Sequence, residues 1–272
     1  MSERLLRLAA KGSKLKGLGI ITIQQQLAYK TAFVLRASFL LLILYVFVQL
    51  WTAAYSGDTE RLIAGFSLKQ IIWYLVFTEA LTMASPQLCI RIEEEVKKGE
   101  IAVRLIRPLS YIGFHYTTYM AEALFRFFIH LAAGSAIAWC FVGAPSFGLG
   151  WANYLALSAG ALTVAFLLNA IVALCAFWIE ETRGLEFVLQ KLNFTVGGML
   201  LPIDLMPEWL QQICAWLPFQ AVLYLPARAA VAVQDSSLLH FLAIQCIWIV
   251  VLAIAVMAIY RKGVKKLHVN GG

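Results

Sequence analysis

Apolar residues fall into long blocks separated by polar connections, at about 37–57, 70–90, 112–142, 151–178, 184–203 and 238–260. Each block is close to the ~20 mostly apolar residues that an α-helix needs to cross the hydrocarbon core of a bilayer. The pattern predicts an all-α integral membrane protein with six transmembrane helices in one domain, residues 37–260. The fourth block is the cleanest, with no charge from Trp151 to Ile179, whereas the second contains Glu79, the third Glu122 and Arg126, and the fifth Glu186 and Lys191.

Two stretches do not fit a span. The start, "RLLRLAAKGSKLKGLGIITIQQQLAYK", mixes basic and apolar residues without becoming apolar enough to cross. Residues 1–36 are therefore expected to lie along the inner membrane surface as an interfacial amphipathic helix. Before the last block, residues 201–233 are strongly apolar but cut by Pro202, Pro207, Pro218 and Pro226. Proline suits a first helical turn and halts a helix upstream of it, so a short helix is expected between Pro207 and Pro218. Too short to cross, it either dips into the outer leaflet as part of a re-entrant segment over 202–233, with Pro202, Pro207, Trp209 and Pro218 as candidate gate residues, or lies on the outer surface with an aromatic belt.

Basic residues set the orientation. They collect before the first span (Arg4, Arg7, Lys11, Lys14, Lys16, Lys30, Arg36), in the second connection (Arg91, Lys97, Lys98, Arg104, Arg107) and after the last span (Arg261, Lys262, Lys265, Lys266). Six alternating spans put all three groups on one side, so both termini, including the tail 261–272, are expected in the cytoplasm. The first charge-free run begins behind a basic segment and ends in no small-residue cleavage pattern, so it is read as an anchor that stays.

Composition agrees: 61% of the chain is hydrophobic and only 14% charged, which makes lipid the main solvent. The net charge of +7 is then explained by anionic lipid rather than by nucleic acid. Cys89, Cys140, Cys175, Cys214 and Cys246 stand far apart, without the paired spacings of metal or redox sites, and read as packing residues. No bound metal is expected. Ala152, Ala156 and Gly160 lie four apart on one face of the fourth span, a spacing that lets two membrane helices approach closely.

The most charged stretch, "EEEVKKGEIAVRLIRPLSY" at 93–111, sits between two of the most apolar. Glu93 with Lys97 and Glu94 with Lys98 are four apart, acid first, the order that supports a helix, and Gly99 ends it. A second short helix, "EIAVRLIR", is stopped by Pro108. The segment 91–108 reads either as a solvated connection or as a docking surface of apolar residues ringed by charge.

Together with "FSLKQIIWYLVFTEAL" before it, this stretch resembles the second span and cytoplasmic coupling helix of bacterial ABC-type permeases of the type-2 exporter class, with their I-x-x-G-x-x-x-x-x-L-x-R-P-L-S-like pattern. "IITIQQQLAYKTAFVLRASFLL" is similar to that family's approach to its first span, and "LLPIDLMPEWLQQICAWLPFQAVLYLPARAAV" to its proline-broken segment. The resemblance implies a permease in the bacterial inner membrane that pairs with a second copy or a sister permease and with cytoplasmic ABC ATPase subunits. Gly99, Ile101, Leu105, Arg107 and Pro108 would seat the coupling helix in the ATPase. The chain has no G-x-x-x-x-G-K-[ST], so ATP and Mg would be bound by the partner ATPase and no cofactor by this chain.

The function expected is an ATP-driven exporter permease working by alternating access on an amphipathic or lipid-like cargo. A passive channel or an ion-coupled transporter using Glu79 is the alternative. An intramembrane enzyme is set against by the absence of H-E-x-x-H and G-x-S-x-G and by the scatter of His115, His130, His240 and His268. Glu79 has two readings: it lines the translocation path, or it packs, protonated or hydrogen-bonded to Thr78 or Thr82. Glu122 and Arg126 are expected to pair with each other. Glu186 and Lys191 are placed in the cytoplasmic headgroup zone.

Overall fold

A computed structural model of the chain describes residues 17–26, 30–56, 58, 61–106, 110–145, 147–232 and 237–270. Regular structure among them is helical, apart from one isolated bridge between Ile63 and Phe66. Helix α1 covers residues 17–26. It is followed by α2 (Lys30–Ala54), α3 (Leu68–Ala84), α4 (Leu88–Lys97), α5 (Glu100–Leu105), α6 (Tyr111–Val142), α7 (Gly150–Leu174), α8 (Arg183–Thr195), α9 (Glu208–Ala215), α10 (Tyr224–Val231) and α11 (Leu238–Asn270).

By length and composition, Tyr111–Val142, Gly150–Phe177 and Leu238–Lys266 are the three helices among the described residues that can cross a membrane. They are not equivalent. The apolar window of the second is 67% buried inside the chain, against 28% and 17% for the others. Helix α7 is thus the axis of the bundle, while α6 and α11 turn most of their apolar surface outward. The most extensive helix pairs are α3 with α6 and α7 with α11, and α10 lies against both α7 and α3.

The expected second span is broken. Helix α3 begins with a capping box, in which the Ser67 side chain accepts from the Gln70 backbone N–H and Gln70 returns a bond to the Ser67 backbone. It ends at Ala84 because Pro86 has no N–H to donate and forces Ser85 into an extended conformation (φ −65°, ψ 119°). Helix α4 restarts at Leu88. The expected fifth span, 184–203, is also shorter, since α8 has 13 residues and gives way to Gly198 at φ +76°. The expected first span lies in a helix of 25 residues, Lys30–Ala54, and among its described side chains Ser38–Ala54 is apolar.

The small-residue stripe on α7 finds its partner at Gly160, which faces α11. A Cβ there would run into the amide of Gln245, which would have to shift, so glycine leaves room for that side chain. On the other side of the bundle, a Cβ on Gly134 of α6 would lie 3.0 Å from Val76 Cγ1 of α3.

Candidate functional site

Side chains with chemistry gather at both ends of the bundle. At the end where α5 lies, three buried carboxylates on α4 and α6 hold the short helices to the long ones. Glu93 Oε2 accepts from both the backbone N–H and the hydroxyl of Thr182, each at 2.8 Å, while Oε1 takes Lys97 at 2.8 Å. A carboxylate from α4 therefore stands at the N-terminus of α8, where the helix dipole favours negative charge. The Lys97 ammonium and the Thr182 N–H lower its pKa to about 2.

Glu95 stands one turn from Arg91 on the same helix. Its Oε1 is paired with Arg104 Nε of α5 at 2.9 Å, and its Oε2 accepts from the Tyr111 hydroxyl at 3.1 Å and lies 3.2 Å from His115 Nε2 of α6. Burial alone would raise the carboxyl, but the hydrogen bond and charge of His115 and the charge of Arg104 outweigh it and the pKa is lowered. The third carboxylate, Glu122, pairs with Arg126 as expected, but also with Arg91 of α4 at 2.9 Å. Arg126 in turn donates to Gln26 Oε1 of α1, and Gly19 places α1 against Ala121 of α6. Helix α4 is thereby tied to α5, α6 and the start of α8, and α1 is clasped to the same block.

Gly99 sits at φ +69° between α4 and α5, the left-handed position at which glycine ends a helix without a Cβ penalty. Ile101 is 5% exposed and anchors α5 inward, and Leu105 packs partly against the core. Arg107 and Pro108 lie outside the described residues. The residues that α5 presents outward are ones the sequence reading passed over: Val103 at 54% and Ile106 at 83% exposed, with the Arg104 guanidinium beside them over the Phe114 ring. Their spacing of three was visible, but a helix of 6 residues carries too little periodicity to tell which face turns out.

At the opposite end the expected short helix between Pro207 and Pro218 is present as α9, with Trp209 and Trp216 exposed and Cys214 buried. The piece that dips inward is the next one, Pro218–Ala221 and α10, in which almost every residue is buried. Gln245 Nε2 of α11 donates to the carbonyls of both Leu157 on α7 and Ala221, at 3.0 Å each. Leu157 and Gln245 stand about two turns from the starts of α7 and α11, so Ala221 reaches roughly 10 Å below them. Further neutral donors complete the seat: Gln70 Nε2 to Val231 O at 2.8 Å, Thr78 Oγ1 to Met199 O at 3.2 Å, and the Tyr74 hydroxyl to Gly198 O. Asp204 accepts from the Tyr224 hydroxyl at 2.9 Å and is paired with Arg228 at 3.1 Å. Pro202 and Pro207 flank this turn, Trp209 lies on the outward face of α9, and Pro218 opens the buried piece.

Glu79 is 1% exposed within α3. The hydroxyl hydrogens of its threonine neighbours are directed elsewhere: Thr78 donates to Leu75 O and Met199 O, and Thr82 to Thr78 O. Glu186 faces inward, whereas Lys191 is exposed with its ammonium over the Phe187 ring at 5.1 Å.

Residues 34–271 match the family model described as ABC-2 family transporter protein. Comparison with curated proteins gives no match.

Proposed function

Since the chain belongs to the ABC-2 family of transporter proteins and is a multi-pass membrane permease component of an ABC transporter, we propose that it is the permease of an ATP-driven exporter whose α5 docks on a cytoplasmic ABC ATPase. The observation that carries this reading is the block around α4. Helix α5 offers Val103 and Ile106 to solvent, an apolar pair flanked by charge, as a docking surface requires. Behind that face, Glu95 and Arg104 pass any displacement of α5 to α4 and, through Tyr111 and His115, to α6. Glu93 passes it to α8 and Glu122 to α6 and α1. Rigid elements joined in this way can convert a small movement at the ATPase into a rearrangement of spans.

In this reading the α5 end, with α4, is cytoplasmic and six segments cross the inner membrane, among them α3, which stops before Pro86, and the short α8. Two permease chains pair, and the outward apolar faces of α2, α6 and α11 meet lipid or the partner. The cargo is amphipathic or lipid-like, in keeping with aromatic and aliphatic spans. Mild-detergent purification from cells expressing the chain with its native neighbours, probed for a copurifying ATPase, tests the docking. Wild type should bring the ATPase down, and Val103→Asp with Ile106→Asp, both exposed and away from the core, should release it while melting as wild type does. Equal recovery by both would place the docking site elsewhere.

A further inference from the structure

Glu79 is the twelfth of 17 residues in α3 and is buried, and its Oε2 has no hydrogen-bond partner. Helices α3 and α6 run antiparallel, and Gly134 faces Val76. Three residues further along α3 and four residues back along α6 bring Glu79 and His130 to the same level. None of the charged or titratable groups described on the neighbouring helices has a hydrogen bond or ion pair to Glu79, and several have partners of their own. From α6, His130 Nδ1 lies 2.7 Å from Arg126 O, and Arg126 is held by Glu122 and Gln26. From α10, Arg228 is held by Asp204. From α7, the Tyr154 hydroxyl donates to Phe77 O. On α3 itself, Tyr74 donates to Gly198 O, and among the described side chains of α2, Tyr45 is exposed. Among the described residues no cation is paired with Glu79, and an ionised carboxylate that faces neither water nor a cation is strongly disfavoured in protein interiors and membranes.

We propose that Glu79 carries a proton while α3 and α6 are packed as here, and gives it up when they part and admit water. On opening, the carboxyl O–H bond breaks, the proton passes to a water molecule and the carboxylate remains. On closing, a proton is taken back from solvent. Each cycle of the bundle thus moves a proton on and off the middle of α3, and if the two openings face opposite sides of the membrane, a proton crosses with each turnover. The site is a proton site in an ATP-driven permease, and only the driving of the opening rests on the function proposed above.

The protonation is tested on the chain alone. Reconstituted wild type at neutral pH should show the infrared carbonyl stretch of a buried, protonated carboxyl, and Glu79→Gln should lack it. Glu79→Met, neutral and similar in length, is the second variant should the first fold poorly. Wild type should also melt at lower temperature as the pH rises from neutral, since the unfolded chain binds fewer protons there than the folded one, and both variants should be flatter. Identical spectra and slopes in wild type and variants would overturn the proton site. With the ATPase and a non-hydrolysable ATP analogue, wild type should release a proton per chain into weakly buffered medium and Glu79→Gln none. Equal release from both, or none from an assembled wild-type complex, would overturn the switch. Failure of the ATPase to bind would contradict the proposed function and leave the first two readouts to decide the proton site.

Discussion

The two ends of the bundle are held by different chemistry. At the α9 end, irregular backbone is stitched to the long helices by neutral donors on main-chain carbonyls: Gln245 on Leu157 and Ala221, Gln70 on Val231, and Tyr74 and Thr78 on Gly198 and Met199. At the α5 end the ties run through carboxylates: Glu95 and Glu122 pair with Arg104 and Arg91, and Glu93 accepts from Thr182. Broken helix inside a membrane cannot borrow water, so its carbonyls need fixed donors, and a neutral amide supplies them without burying charge. A block that must answer a partner in water can use charges, which act over longer distances and can exchange partners. Under the proposed function, one end holds a buried loop still and the other transmits a displacement.

Breaking the ionic end should have the largest effect. Glu122→Ala leaves Arg126 and the inner end of Arg91 without their shared carboxylate. Loss of about 3 kcal/mol is expected, read as a fall in melting temperature in detergent. The neutral end comes next: Gln245→Leu removes both hydrogen bonds that hold Ala221 to α7. A cost of about 2 kcal/mol is expected. Faster labelling of the buried Cys214 in α9 by a thiol reagent would show that the loop has loosened.

A smaller effect, with a pH signature, is expected at Glu93. Its pKa is lowered from 4.5 to about 2 by Lys97 and Thr182. Its contribution is therefore fully present above the ordinary carboxyl value and is lost as pH falls toward the lowered one. The melting difference between wild type and Glu93→Gln should be constant near neutrality and shrink below that ordinary value. A difference that grows on acidification would contradict the assignment. The smallest effect belongs to the exposed Lys98 and Glu94 pair on the same helix, where Lys98→Ala should leave melting unchanged.

What the sequence made legible was mostly local. The Glu93 and Lys97 pair, the turn at Gly99, the Glu122 and Arg126 pair and the helix bounded by Pro207 and Pro218 all depend on residues within one or two turns, and all are present. The all-helical membrane class followed from composition and block length, and the family from three stretches in order. What stayed hidden joins elements far apart in the chain. Arg91 reaches Glu122 across 31 positions, Glu93 reaches Thr182 across 89, and Gln245 reaches Leu157 across 88. Gln245 was a lone amide in an otherwise apolar span, a signal overlooked because only charged residues were weighed there. Whether the helix between Pro207 and Pro218 dips inward or lies on the surface was left open, because apolarity is equal on both sides of Pro218, and only packing against α7 and α3 marks the piece after Pro218 as the buried one.

The most direct test of transmission through α4 separates docking from signalling. Glu95→Gln leaves Val103 and Ile106 in place but removes the ionic tie from α5 to α6. In proteoliposomes carrying the permease with its ATPase, the variant should retain the ATPase in full while losing the stimulation of ATP hydrolysis that the wild-type permease confers. Full stimulation by a Glu95→Gln permease would contradict the account and show that movement reaches the spans by a route other than α4.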